Sequence, residues 1–469
     1  MGVASVFSRR TLRAFVVLAT LAAFQWALLG QTTSRPAEAQ SPAPPNIVLI
    51  VTDDQRFDSL HVMPQVQRLM RDGMTLRRAI VTNPLCCPSR ATILTGRYSH
   101  TTNVYTNVPP FGGWSGFQAS ESDTIATALH DVGYRTALIG KYINGYGGDD
   151  PYVPPGWDRW LAILGASHYY NYSVLDSQRG TVNYGSAPRH YSTDVFRRQA
   201  VWFIRSVPQD SPLFLMVTPY APHSPYVAAK RHEGDLISAR VRLGPAVNEA
   251  DVSDKPAYIA SGRKETAASL RTRTRDQWES LLAVDDLVGK IRATLEETGR
   301  ADNTLIIFTS DNGFSNHEHR WTSKQVPYEE SIRVPMIVSM PGQIPADTVS
   351  DALVSNVDLA PTLADFGGAT LSVDGVSLRP LLTDVASSVR DSVLLEHLDW
   401  SALPVPTYCG VRTPGFTFVH YATGEEELYD LSRDPKQLVN VAAGRPNKTN
   451  ELRALTQSLC QPLPPDFSW

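Results

Sequence analysis

The sequence predicts an α/β fold: a large mixed, mostly parallel sheet sandwiched by helices, followed by a smaller C-terminal α+β subdomain. Three observations carry this expectation. Nearly unbroken apolar, β-branched runs recur before residue 310, each leading closely into polar or charged residues, as strands buried on both faces do. Stretches of helical periodicity lie between them, the alternation expected of a parallel sheet covered by helices. From about Asp351 onward the runs become shorter and more alternating.

At the N-terminus, Ser8-Arg9-Arg10-Thr11-Leu12-Arg13 precedes a mostly apolar run from Ala14 to Gly30, and Ala37-Glu38-Ala39 offers small residues for cleavage. Residues 1–39 therefore read as a signal peptide and 40–45 as a Pro/Ala/Ser-rich linker. The apolar run is short for a membrane span, so no stable span is expected once the signal is removed. The paired arginines resemble a twin-arginine export signal, with Leu12 where phenylalanine is usual. The expected location is outside the cytoplasm: secreted, periplasmic or on the cell surface.

The first strand, Asn46–Val51, ends at Thr52-Asp53-Asp54. Ser122-Asp123 can cap a helix through Ile125, Leu129 and Val132 that stops at Gly133. A second strand, Thr136–Ile139, ends at Gly140-Lys141, and a third, Leu213–Val217, leads to Tyr220-Ala221-Pro222-His223. Ala228 to about Arg263 is loop-rich and reads either as an insertion near the mouth of a site or as a plain surface excursion. Apolar spacing from Asp276 to Leu295 predicts a second helix, and the fourth strand, Thr304–Phe308, ends at Ser310-Asp311-Asn312-Gly313. In open α/β sheets sites form beyond the carboxyl ends of the strands, so these termini are expected to converge. Residues 46–350 are assigned to the main domain. In 351–469 a helix begins at Val357, strands cover Phe416–Tyr421 and Glu427–Leu431, and a helix closes the chain near Asn450–Leu459.

With 469 residues, 42% hydrophobic and 19% charged, the chain is globular, and a net charge of −4 argues against nucleic acid as a partner. Four cysteines are too few for a disulfide scaffold. Cys86 and Cys87 are adjacent, whereas Cys409 and Cys460 could bridge in an oxidising compartment or remain thiols.

The most informative stretch is Cys86-Cys87-Pro88-Ser89-Arg90, continued by Ala91-Thr92-Ile93-Leu94-Thr95-Gly96-Arg97. A cysteine at the mouth of a helix, with an arginine in its first turn, can be a thiolate nucleophile, a metal ligand, half of a disulfide or the precursor of a modified residue. Asp53, Asp54, Asp311 and Asn312 offer only oxygen, which suits Ca²⁺, with Mg²⁺ as the alternative, over zinc. Either pair alone also reads as a strand ending in a turn. The donor fork of Arg90 matches oxyanions. Lys141, His223 and Lys324 are ordinary surface types when each is taken alone.

Cys-x-Pro-Ser-Arg followed by Thr95-Gly96 resembles the signature of the type I sulfatases, the formylglycine-dependent branch of the alkaline phosphatase superfamily. The resemblance implies an alkaline-phosphatase-like fold and conversion of Cys86 to formylglycine by a formylglycine-generating enzyme, with Cys87 at the variable position. Gly140-Lys141, Pro222-His223-Ser224-Pro225, and Lys324 ahead of Tyr328-Glu329 follow the same family pattern in order. Carried over residue by residue, the pattern implies a metal set of Asp53, Asp54, Cys86, Asp311 and Asn312. It implies a catalytic set of Cys86, Arg90, Lys141, His223 and Lys324. Substrate contacts are expected from Lys141, Asn144, His223 and Lys324; His319, in the stretch that departs from the pattern, reads either as a further site residue or as a structural one.

The segments Cys86–Asn107 and Gly140–Tyr146 are most similar to the glucosamine-6-sulfatase and heparan endosulfatase branch. Ile143 stands where the arylsulfatase branch has a histidine; Asn144 can hydrogen-bond there but cannot act as a base near neutral pH. The stretch after Gly313-Phe314, Ser315 to Trp321, departs from the sugar-sulfatase pattern. The implied reaction is hydrolysis of a sulfate monoester on a sulfated small molecule, glycan or aryl group. A divalent ion, three carboxylates, Arg90 and two lysines leave an excess of about two positive charges, suited to an anionic ester. The rival readings are a phosphate or phosphonate ester hydrolase of the same superfamily, and a secreted binding protein that kept the fold.

Overall fold

Strand β1 (Asn46–Thr52) shows how the chain builds its layers. Its alternate residues face opposite ways: Ile47, Leu49 and Val51 join one core, Val48 and Ile50 another. That is the period-two geometry of a strand covered on both faces. The first core includes Ile93 and Leu94 of the helix Cys86–Thr95, Leu129 of Ile125–Asp131 and Leu363 of Leu359–Gly367. The second includes Val66 of Pro64–Arg71, Phe196 and Phe203 of Ser192–Ser206, and Leu281 and Leu287 of Ala267–Glu297.

The computed structural model describes residues 1–2, 43–148, 150–400 and 403–469, and the expected signal peptide and most of the linker lie outside them. The fold is carried by Pro44–Trp469. The large sheet comprises β1, β2 (Met74–Ile80), β3 (Arg135–Gly140), β4 (Arg159–Ile163), β5 (Tyr172–Asp176), β6 (Gly180–Tyr184), β7 (Leu213–Thr218) and β8 (Thr304–Ser310). After the short hairpin β9 (Ser315–Asn316) and β10 (Thr322–Ser323), the sheet gains β11 (Arg333–Val334), β12 (Met336–Ser339) and β13 (Thr348–Ser355). Its order is β11-β2-β12-β8-β1-β7-β3-β4-β5-β6, with β13 on β2. The centre, β8-β1-β7-β3-β4, is parallel. Antiparallel strands β5 and β6 extend one side, and antiparallel β12 lies beside β8 on the other.

A second, antiparallel sheet follows: β14 (Val393–His397), β15 (Tyr408–Arg412), β16 (Phe416–Tyr421) and β17 (Glu426–Asp430). The helix Pro446–Leu459 packs on it, and a disulfide between Cys409 and Cys460 ties the residue after that helix to β15. Where this sheet meets the rest of the chain, the buried carboxylate of Glu427 accepts hydrogen bonds from Tyr328 (2.8 Å), Tyr421 (2.6 Å) and Tyr429. Three donors offset much of the desolvation that would otherwise exclude a carboxylate from this interior.

Two helix starts differ from the sequence expectation. The helix through Leu129 is capped by Thr124, not Ser122 or Asp123, through a reciprocal box with Thr127. The long helix begins at Ala267, not Asp276, because Thr266 caps it and Ala-, Leu- and Arg-rich residues extend it without an apolar period. Among the described residues, no helix is long and apolar enough to cross a membrane.

Candidate functional site

The parallel register of β1 on β8 pairs Thr52 with Ser310, so the residues just past each strand meet. Asp53 and Asp54 thereby face Asp311 and Asn312, although more than 250 positions separate them in sequence. The Asp54 amide donates to Asp311 Oδ1 at 3.2 Å, and the Asp53 amide to the Ala221 carbonyl at 3.3 Å. Asp54 takes φ 65°, a left-handed turn that aspartate tolerates better than most residues.

The helix Cys86–Thr95 points its N-terminus at this junction. All ten of its residues are buried, Pro88 sits in the first turn where its missing N–H leaves no gap, and Gly96 closes the helix at φ 68°. Cys86 Sγ lies 3.4 Å from Asp53 Oδ1 and 2.7 Å from Lys324 Nζ. Both Cys86 and Cys87 are free thiols, which removes the disulfide reading. Burial, reinforced by the Asp53 charge, pushes the Cys86 thiol up to about 12. An unmodified cysteine here would therefore be a protonated thiol at neutral pH, a poor nucleophile.

Three cations and three carboxylates interlock around this residue. Arg90 Nε donates to Asp311 Oδ2 at 2.8 Å and Nη1 to the Lys141 carbonyl at 2.9 Å, while Nη2 stands 3.7 Å from Asp53 Oδ2. Lys141 Nζ reaches Asp53 Oδ2 at 2.5 Å, and Lys324 Nζ reaches Asp54 Oδ1 at 2.5 Å. Burial acts against ionisation of Asp53, but the surrounding Lys141, His223, Arg90 and Lys324 hold its carboxyl well below the usual range. Burial and the neighbouring Asp53 charge raise Asp311 to about 6. Despite burial, Asp54 and Cys86 keep Lys324 protonated.

The donor set fits a hard divalent cation. Ligand atoms of Asp53, Asp54, Cys86 and His223 all lie within 4.8 Å of one another. Asn312 is fully buried, its amide nitrogen donates to Asp54 Oδ1 at 2.7 Å, and its Oδ1 has no partner among the described residues. An unpartnered buried carbonyl oxygen beside three carboxylates is a ready oxygen ligand. A cation would also remove the reluctance of Asp311 to ionise.

His223 joins the cluster at its more open side, with Nε2 3.6 Å from Asp54 Oδ2 and a side chain 24% exposed. Nδ1 lies 2.9 Å from the Ser224 carbonyl, which can only accept, so Nδ1 carries the hydrogen and Nε2 is the nitrogen that exchanges protons. Tyr220 stacks on the ring at 4.7 Å and Tyr169 donates to the His223 carbonyl at 2.7 Å. Asn144 is half-buried; its Oδ1 has no partner among the described residues and its carbonyl accepts from the Trp114 amide. Ile143 is core.

His319 does not join the cluster: it is fully buried, with Nδ1 2.6 Å from Glu249 and its ring against Tyr328. Its contacts instead brace the segment that carries Lys324. Glu249 had no sequence signal, and the backbone of 246–248 pairs with 317–319, so part of the 228–263 insertion walls the site region. Ser89 was visible in the motif but not its role. It donates to the Asp311 carbonyl and accepts from Asn356 at 2.9 Å, fastening the helix to the end of β8.

Comparison with known proteins extends these observations. The sulfatase family model matches residues 45–369, and the model for the C-terminal region of N-sulphoglucosamine sulphohydrolase matches residues 317–462. The chain is 35% identical over 375 residues to the extracellular sulfatase SULF-1 homolog of Drosophila melanogaster, covering 76% of this chain but only 33% of that protein. It is 31% identical over 449 residues to human N-acetylglucosamine-6-sulfatase, covering 85% of this chain and 81% of that one. A structure described as bound to its substrate D-glucosamine-2-N,6-O-disulfate superposes with a TM-score of 0.76 at 26% identity, over 90% of this chain and 99% of the other. The phosphonate monoester hydrolase of Agrobacterium radiobacter shares the fold, with a TM-score of 0.68 at 22% identity over 88% and 96% of the two chains.

Proposed function

Because this chain belongs to the sulfatase family and is a sulfuric ester hydrolase, we propose that it removes the 6-O-sulfate of a glucosamine unit in a sulfated glycan. The observation that carries this reading is the convergence of Cys86, Arg90, Lys141, His223 and Lys324 on the Asp53, Asp54, Asp311 and Asn312 junction. The substrate class is supported by relatives from human and Bacteroides thetaiotaomicron named for N-acetylglucosamine 6-sulfate, and by the neighbour bound to a glucosamine disulfate.

Asp53, Asp54, Asp311 and Asn312, together with position 86, would hold Ca²⁺, which supplies Lewis-acid polarisation of a sulfate oxygen. Formylglycine in place of Cys86 would supply the nucleophilic hydroxyl of its hydrate. The remaining work falls to the protein side chains. Lys141 and Lys324 flank position 86 and offset the negative charge that builds on the sulfate oxygens. Arg90 holds Asp311 and Asp53 in their orientation rather than lying open to solvent. His223, held through Nδ1, presents Nε2 to the departing alcohol and hands it a proton. Asn144 offers a hydrogen bond to the sugar. The carrier of these roles matures with a formylglycine-generating enzyme as partner and acts after export, the location of its extracellular relatives.

The test is release of sulfate from glucosamine 6-sulfate and its N-acetyl form, run beside an aryl sulfate and an alkyl phosphonate. Faster turnover of the sugar sulfates is expected; a preference for the phosphonate would overturn the reading.

A further inference from the structure

A cavity of about 260 Å³ lies at the margin of the large sheet, between β2 and β13 on one side and the turns of the C-terminal sheet on the other. Arg77, Arg78, Arg333 and Arg412 line it, with Glu329 and Asp351 as its carboxylates. None of the residues clustered around Cys86 takes part in its wall. The pairing of β13 with β2 shifts register between Ser350 and Leu353, opposite Arg77. A regular strand would turn Arg77 and Arg78 to opposite faces. The irregularity re-aims side chains, which accounts for two successive strand residues meeting one cavity.

Four guanidinium groups against two carboxylates leave an excess of two positive charges. Both carboxylates are already engaged. Arg412, 4% exposed, donates from Nε to Glu329 Oε1 at 2.7 Å. Arg77 grips Asp351 through two hydrogen bonds, at 2.9 and 2.6 Å. Arg333 is left with Glu329 Oε2 at 3.6 Å, and its Nε is buried with no partner among the described residues. Its guanidinium carbon stands 3.9 Å from the centroid of the Phe57 ring, a contact that holds the fork in place. Arg78 forms no hydrogen bond or ion pair among the described residues, while its charge acts on Asp351. A buried donor without an acceptor is unfavourable, and an anion that accepts from it relieves the cost. Planar guanidinium forks match the oxygens of a tetrahedral oxyanion, and the excess of two charges matches a dianion. Sulfate is the dianion that this hydrolase releases. From these features we infer that the cavity is a second oxyanion site, in which Arg78 and Arg333 hold sulfate with residues that the reaction centre does not use. The sulfate is either the free ion or a group borne by a glycan, and only the second source rests on the sulfated-glycan reading above.

Calorimetry with sodium sulfate on the intact protein, against sodium chloride of equal ionic strength, tests this inference. The reaction centre binds its product too, so two classes of sulfate site are expected in the unaltered protein. Arg78→Gln should weaken one class about ten-fold, the loss expected for one hydrogen bond to a charged group, and leave the other unchanged. Pro414→Glu adds a carboxylate to the cavity from an exposed turn and should weaken the same class. Should Arg78→Gln fail to fold, Pro414→Glu decides alone. Arg433→Gln removes a cation that is 78% exposed and does not line the cavity, so it should change nothing. Unchanged sulfate binding in the two cavity variants, or an equal loss in Arg433→Gln, would overturn the site. The source of the sulfate is read with a 6-sulfated glucosamine oligosaccharide. Weaker binding of that chain to the cavity variants identifies a glycan-borne sulfate, and a response confined to the inorganic ion identifies the free one. Should no glucosamine sulfate be hydrolysed while the response to inorganic sulfate persists, the substrate proposal fails and the oxyanion site stands.

Discussion

Lys324 Nζ lies 2.7 Å from Cys86 Sγ, across 238 residues of sequence. The same ammonium holds Asp54, so one lysine links the residue proposed to carry the nucleophile with a proposed metal ligand. Its removal should therefore affect turnover more than binding. We expect Lys324→Ala to lower kcat by roughly 10²–10³-fold, in line with loss of a preorganised charge, with a smaller change in KM. Steady-state kinetics on a sugar sulfate would show this; a change confined to KM would place Lys324 in binding alone.

Cys86 and Cys87 are both buried thiols, but only Cys86 contacts the charged cluster, while Cys87 joins the apolar core. Cys86→Ser should abolish turnover, and Cys87→Ser should reduce it only a few-fold through a destabilisation of about 1–2 kcal/mol. Peptide mass spectrometry should find the aldehyde at position 86 of the active protein. Equal losses in the two variants would sink the assignment.

Three converging carboxylates make the metal thermodynamically visible. Extraction with a calcium chelator should remove activity and lower the melting temperature, and both should return on titration with the ion. A bound ion at 100 times its Kd contributes about 2.7 kcal/mol to stability by mass action. Comparing Ca²⁺ with Mg²⁺ in the recovery identifies the native ion. Full activity in the chelated, metal-free protein would refute the site.

The pH dependence of stability should carry a signature from His100, whose Nδ1 lies 3.0 Å from Glu396 in a nearly buried setting. Burial alone would lower its pKa, but the hydrogen bond and charge of Glu396 raise it above the ordinary histidine value. A group with a raised folded pKa stabilises the fold fully below its unfolded pKa, about 6.5 for an ordinary histidine, and loses that contribution as pH rises through the folded value. The melting-temperature gap between the unaltered protein and His100→Gln should be widest in mild acid and shrink toward alkaline pH. A gap that grows with pH would contradict the pairing.

Much of this site was legible because its residues sit where apolar runs stop. Asp53, Asp54, Lys141, Asp311 and Asn312 each follow a buried strand, and parallel register then forces them together. β2 was not legible, since Arg77 and Arg78 interrupt its apolar pattern; the Arg77 side chain reaches half-exposed Asp351 at the sheet margin. Lys324 had only a family pattern to place it. Its loop has no periodicity and bends through positive φ at Ser323 and Gln325, held by Tyr408 donating to the Gln325 carbonyl at 3.0 Å. The pairing of Glu249 with His319 exists only in three dimensions, so no reading of either segment alone could have found it.

The wide spacing between Cys86 and the groups that enclose it also sets a clock. At about 5–20 residues per second, Lys324 is synthesised roughly 12 to 48 seconds after Cys86. For most of that interval neither β8 nor the Lys324 loop exists to cover the cysteine, which ends 1% exposed in the finished protein. Synthesis itself thus opens a period in which a modifying enzyme can reach an extended Cys-x-Pro-Ser-Arg segment, and completion of the chain closes it.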